Sequence, residues 1–191
     1  MEAVLLSAEN LGIIRGERVL FRDISLQVNA GDAVVLRGAN GSGKTTLLRM
    51  LAGLTRPETG SVSRNAPHHW LGHTNGIKPD ETPYQHLNRW AQAWGSDQTV
   101  RSQATSQTWV RDLANISSRL LSSGQKRRVA LARLELEYRP LWLLDEPFTA
   151  LDTAGRETLI TKITEHRASG GALIAAIHGE AGFEASQEVE L

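Results

Sequence analysis

The sequence predicts an α/β fold with a parallel core sheet and a small helical lobe. Three short, almost wholly apolar runs carry the first half of that expectation: Val34-Val35-Leu36, Leu141-Trp142-Leu143-Leu144 and Leu173-Ile174-Ala175-Ala176-Ile177. Strands covered on both faces read as continuous apolar stretches, and helices alternating with them indicate parallel crossovers. The second half rests on residues 75–120, which hold three of the five tryptophans (Trp90, Trp94, Trp109) and little strand signal. The whole chain, residues 1–191, is expected to form one domain with that lobe inserted in it.

Taken in order, Val4-Leu5-Leu6, Val19-Leu20-Phe21 and the alternating Ile24-Ser25-Leu26-Gln27-Val28 read as N-terminal strands, punctuated by Gly12, Gly16, Asn29 and Gly31. Val34-Val35-Leu36 runs into a Gly-rich loop, and a helix follows with Leu47, Leu48, Met50 and Leu51 on one face and Gly53 as its stop. His69-Trp70-Leu71 is a further strand. A helix is expected over 126–137, and another over 152–166 with Leu159, Ile160 and Ile163 inward.

Composition narrows the function classes. Lys plus Arg and Asp plus Glu are each 21, so the net charge is zero. A nucleic-acid-binding domain is usually strongly basic, so no nucleic-acid partner is expected, although a local basic patch stays open. There is no cysteine, which excludes disulfides, thiolate metal sites and thiol nucleophiles and fits a reducing compartment. No run approaches the roughly 20 apolar residues that span a bilayer, and MEAVLLSAEN lacks a secretion signal's apolar core. Any membrane role is therefore expected to be peripheral.

Gly38-Ala39-Asn40-Gly41-Ser42-Gly43-Lys44-Thr45 matches G-x-x-x-x-G-K-[ST] with a strand before it and a helix after it. A phosphate chain needs a concave row of backbone N–H groups, which only a loop of little side-chain bulk supplies, and the helix start adds partial positive charge. Lys44 would neutralise the outer phosphates and the Thr45 hydroxyl would ligate Mg²⁺. Leu141-Trp142-Leu143-Leu144-Asp145-Glu146 ends an apolar strand in two acids. Asp145 suits the metal and Glu146 suits a general base for an attacking water. His178, just past Ile177, would open onto the same crevice and reach a γ-phosphate with a ring nitrogen. Ser122 and Gln125 in Leu121-Ser122-Ser123-Gly124-Gln125 satisfy a capping box, making this segment a helix N-terminus: either simply a capped start followed by a solvated charged turn at residues 126–128, or also a second phosphate receptor.

GANGSGKT, LSSGQKRRVALAR, LWLLDEP, the following TALD (residues 149–152) and His178 together resemble the ATPase subunits of ABC transporters in order and spacing, over nearly the whole chain. That resemblance implies a P-loop NTPase fold with N-terminal antiparallel strands, and ATP with Mg²⁺ as nucleotide and cofactor. It places ATP against Gly38 to Thr45 and Thr46. It also implies a homodimer packed head to tail, in which Ser122, Ser123, Gly124 and Gln125 reach the partner's nucleotide and Asp152 lies at the dimer seam. Several phrases, among them LLRMLAGLTRPETG and LGHTNGIKPDET, further resemble the haem-exporter ATPases of cytochrome c maturation. The implied partners are integral membrane subunits, and the implied location is the cytoplasmic face of the bacterial inner membrane.

Two positions depart from the pattern. The family usually has a glutamine where this chain has Thr74, whose hydroxyl reaches less far toward Mg²⁺ or its water. The aromatic residue that usually stacks on adenine is absent from Gly12 to Gly16, leaving Arg15 either as its planar replacement or as an exposed turn arginine. His68, His69, His73 and His86 invite a reading as haem ligands, but no C-x-x-C-H site accompanies them, and no direct haem binding is expected. The tryptophans read as packing residues or a partner-facing patch. By resemblance the membrane partner docks along residues 75–90, with Ile77, Tyr84 and Leu87 as apolar contacts. The competing readings are another ABC exporter's ATPase, a soluble ABC ATPase of translation or repair, and a P-loop kinase. The last would need an acceptor site and would leave LSSGQ unexplained.

Overall fold

The computed structural model describes residues 3–16, 18–95 and 110–191, so Trp109 and part of the expected lobe lie outside the described residues. Two compact units are present. The first comprises residues 1–72, 139–147 and 160–191; the second comprises residues 73–138 and 148–159.

In the first unit, β1 (Val4–Arg15), β2 (Arg18–Asn29) and β4 (Thr59–Arg64) form an antiparallel sheet of order β2-β1-β4. β3 (Ala33–Arg37), β5 (His68–Leu71), β6 (Leu141–Asp145), β7 (Ala172–Ala176) and β8 (Gln187–Glu190) form a parallel sheet of order β5-β6-β7-β3-β8. Side chains alternate across a strand. Val34 and Leu36 of β3, Leu141 and Leu143 of β6, and Ile174 of β7 therefore share one face. That face packs on α1 (Lys44–Leu51), whose Leu47, Leu48, Met50 and Leu51 are fully buried. α1 also meets Leu6, Leu11 and Val28 of the antiparallel sheet within the same cluster. Burial of this cluster, at about 25 cal/mol per Å² of apolar surface, holds α1 against the sheets. On the opposite face Trp142 stacks on His166, ring centroids 3.9 Å apart and 8° from parallel. β1 and β2 are each 12 residues long; the separate short strands expected at 19–21 and 24–28 are one strand. β4 and β8 carry no clear sequence signal.

The second unit holds α2 (Pro83–Trp94), two short 3₁₀ turns, and α3 (Ser123–Leu131), which tightens into a 3₁₀ turn over Ala132–Glu135. The helix expected over 126–137 thus begins three residues earlier and is regular only to Leu131. α4 (Thr153–Ala168) runs on from the second unit into the first. Thr82 caps α2 by accepting from Gln85 N, with Pro83 in the first turn. Trp90 packs against Trp94 at 5.1 Å and lies under the guanidinium of Arg133 at 4.9 Å.

Candidate active site

β6, β7 and β3 are neighbours, so their carboxyl ends open on one edge of the parallel sheet, where ligands of such sheets bind. Gly38 follows β3, Asp145 ends β6 and His178 lies two residues past β7. The phosphate loop turns into α1 through Gly43, whose φ of 113° is a left-handed conformation that side chains disfavour. No side chain caps α1, leaving its first-turn N–H groups free of a side-chain acceptor. Lys44 is 7 % exposed, and its Nζ donates to Gly38 O at 2.7 Å and Ala39 O at 2.9 Å. A buried ammonium resting on carbonyl dipoles, with no carboxylate bound to it among the described residues, is a cation placed for an anion. Ser42 Oγ is buried with no hydrogen-bond partner among the described residues, a donor left over for a ligand oxygen.

Thr45 Oγ1 donates to both oxygens of Asp145, at 2.9 and 3.1 Å. Asp145 is 1 % exposed. A hydroxyl and a carboxylate converging on one point are the hard oxygen ligands that Mg²⁺ takes, so these residues fit the ion that the sequence implies. Next along the chain, Glu146 adopts φ 48° and donates its N–H to Ala176 O at 3.0 Å. A non-glycine residue held in the left-handed region by a bond to the neighbouring strand is strained backbone, of the kind that clusters at functional sites. Its Oε1 lies 3.3 Å from Nε2 of His178.

In the second unit the capping box is formed as expected. Ser122 Oγ accepts from Gln125 N at 3.1 Å, and Gln125 Oε1 accepts from Ser122 N at 2.8 Å. Gln125 is therefore engaged within its own helix turn. A Cβ on Gly124 would lie 2.4 Å from Ala150 O, so only glycine lets the α3 start pack on that segment. Ser122, Ser123, Gly124, Arg128, Ala150 and Asp152 border a shallow depression of about 220 Å³. Asp152 accepts from Gly155 N at 2.9 Å, capping the start of α4.

A family model described as ABC transporter matches residues 21–149. This chain belongs to the ABC transporter family. The cytochrome c biogenesis ATP-binding export protein CcmA of Hyphomonas neptunium is 58 % identical over 99 % of this chain and 97 % of that protein. The protein of the same name from Gluconobacter oxydans is 44 % identical over 91 % of this chain and 81 % of its own length. Two solved structures share the fold: an ATP-binding subunit of an ABC transporter, with TM-score 0.80, 24 % identity and coverage of 91 % of this chain and 79 % of that one; and an ABC transporter ATP-binding protein of Pyrococcus furiosus, with TM-score 0.81, 23 % identity and coverage of 97 % and 96 %. Family membership implies ATP binding and hydrolysis.

For an ABC ATPase, the remaining predicted residues fall as follows. Thr74 is exposed in the loop after β5. Arg15 is exposed where β1 turns into β2, paired through its backbone with Arg18, and its side chain makes no hydrogen bond among the described residues. Beside it the cross-strand pair Ile14 and Val19, 47 % and 38 % exposed, makes an apolar surface that no sequence motif marks. Leu87 does not serve as a partner contact: it is 1 % exposed, because with Pro83 and Ala91 it lies on the buried face of α2. Tyr84, one position off that face, is 48 % exposed. Of the histidines considered as haem ligands, His69 is buried in β5, His73 is exposed, and His86 is buried on α2 beside Glu81 and Arg89.

Proposed function

We propose that this chain is the ATP-hydrolysing subunit of a membrane ABC complex in c-type cytochrome biogenesis, either exporting haem or releasing a haem chaperone. The observation that carries it is the convergence, at one sheet edge, of the Thr45–Asp145 pair with Glu146 and His178. The CcmA relatives supply the biological context. Mg²⁺, held by Thr45 and Asp145, would offset the charge of the β- and γ-phosphates. Lys44 leaves its two carbonyls to neutralise the outer phosphates, and the N–H groups of residues 41–46, with Ser42 Oγ, line the chain of oxygens. Glu146 takes a proton from the water that attacks the γ-phosphorus. His178 steadies the Glu146 carboxylate and donates to a γ-phosphate oxygen, and the bond to the ADP oxygen breaks.

In this reading two copies close head to tail around two nucleotides. Ser122, Ser123, Gly124 and Gln125 of one copy cover the triphosphate of the other, and Asp152 lies at the seam. Closure and reopening drive integral membrane subunits, with the chain held peripherally at the cytoplasmic face of the inner membrane. Among the described residues no helix is long and apolar enough to cross a membrane. Ile77 and Tyr84 remain as docking contacts for those subunits. The test is twofold: phosphate release from ATP with no acceptor present, and co-purification with membrane subunits from a detergent extract. A chain that releases no phosphate, or that co-purifies only with soluble partners, would overturn the proposal.

A further inference from the structure

Arg37 is the last residue of β3 and immediately precedes the phosphate loop. Its Nη2 donates to Glu188 Oε1 of β8 at 2.9 Å, and its Nη1 donates to the carbonyl of Gly179. Gly179 follows His178 and adopts φ 72°, so the chain turns sharply there. Upstream of the histidine, Ile177 N donates to Leu36 O of β3 at 3.3 Å. His178 itself is exposed, and an exposed imidazole on a glycine turn has few packing contacts to fix its ring. Charged hydrogen bonds are roughly twice as strong as neutral ones. The Arg37–Gly179 contact thus clamps the His178 turn, from the far side, to the strand that carries the phosphate loop.

We propose that Arg37 is a positioning residue for hydrolysis: it fixes the turn that holds His178 Nε2 against Glu146 and so ties the geometry of the histidine to that of the phosphate loop. The inference rests on His178 having the hydrolytic role given above. Arg37 touches neither the water nor the phosphates in this arrangement. It acts through His178, and its Glu188 arm, on an exposed edge strand, adds little.

The test is a double-mutant cycle on the full chain, with steady-state ATPase rates and equilibrium ATP affinity measured for each variant. Arg37→Ala should lower kcat about tenfold while changing the dissociation constant for ATP by less than about twofold. Arg37→Lys should recover part of the rate, and Glu188→Ala should leave it within about twofold of the parent. In a His178→Ala background, Arg37→Ala should have no further effect. The inference is overturned if Arg37→Ala turns over normally, if it slows the His178→Ala protein by the same factor, or if Glu188→Ala reproduces its loss. His178→Ala at full rate would instead overturn the role of the histidine itself, and this inference with it. Should Arg37→Ala fail to fold, Arg37→Gln is read in its place with the same expectations.

Discussion

Nε2 of His178 lies 3.3 Å from Oε1 of Glu146, so the two side chains beyond neighbouring strands β7 and β6 meet directly. A carboxylate is a Brønsted base, able to take a proton from a water. Glu146→Gln preserves shape and removes the base, so hydrolysis should fall about 100-fold or more while ATP binding stays intact. Because the nucleotide is then bound without being cleaved, ATP should accumulate a stable dimer, visible by size-exclusion chromatography. Rapid turnover by this variant would exclude Glu146 as the base.

Lys44 Nζ donates to two carbonyls at 2.7 and 2.9 Å, contacts that the proposed function has it exchange for phosphate oxygens. The exchange favours the ligand because a charge–charge hydrogen bond exceeds a charge–dipole one, by about 1–2 kcal/mol. Lys44→Ala should therefore weaken ATP binding by at least about tenfold in calorimetry, and unchanged affinity would sink the phosphate-loop assignment.

How much of this was legible in the sequence depended on whether the requirement was local. The phosphate loop is fixed by eight consecutive residues. The Ser122–Gln125 box spans one helical turn, so both could be read directly. Asp145 and Glu146 were legible because a fully apolar strand ends on them. By contrast, Thr59–Arg64 is mostly exposed and polar, and its strand state comes from backbone pairing to β1, such as Ser7 with Ser63. Gln187–Glu190 is the same case beside β3. Arg37 was invisible because its Gly179 partner is 142 residues away. Leu87 was misplaced because the docking segment was set by resemblance, while the helical spacing of Pro83, Leu87 and Ala91 decides which side faces inward.

Thr74 stands where the family usually has glutamine, in an exposed loop. Its hydroxyl sits on a stem two carbons shorter than a glutamine amide. Thr74→Gln should thus preserve or raise hydrolysis stimulated by the membrane partners, measured with the complex in detergent or vesicles. A collapse of stimulation would show that the short side chain is specifically required.

Burial, with Arg133 and Arg89 close by, holds the His86 imidazole down from 6.5 to about 4. His86 is fully buried, its Nε2 has no hydrogen-bond partner among the described residues, and the nearby Glu81 only partly offsets the arginines. The unfolded chain therefore binds a proton near pH 6.5 that the folded chain refuses until about pH 4. Stability is present in full above pH 6.5, falls as the pH drops through that window, and levels off below about 4. At about 1.4 kcal/mol per pH unit the loss is capped at about 3 kcal/mol. His166, stacked on Trp142 and also lowered by burial, adds a loss of the same sign. Urea midpoints measured from pH 7 to 4.5 should fall less steeply for His86→Leu than for the parent, because leucine has no proton to take up. Parallel curves would mean that His86 does not carry this loss of stability.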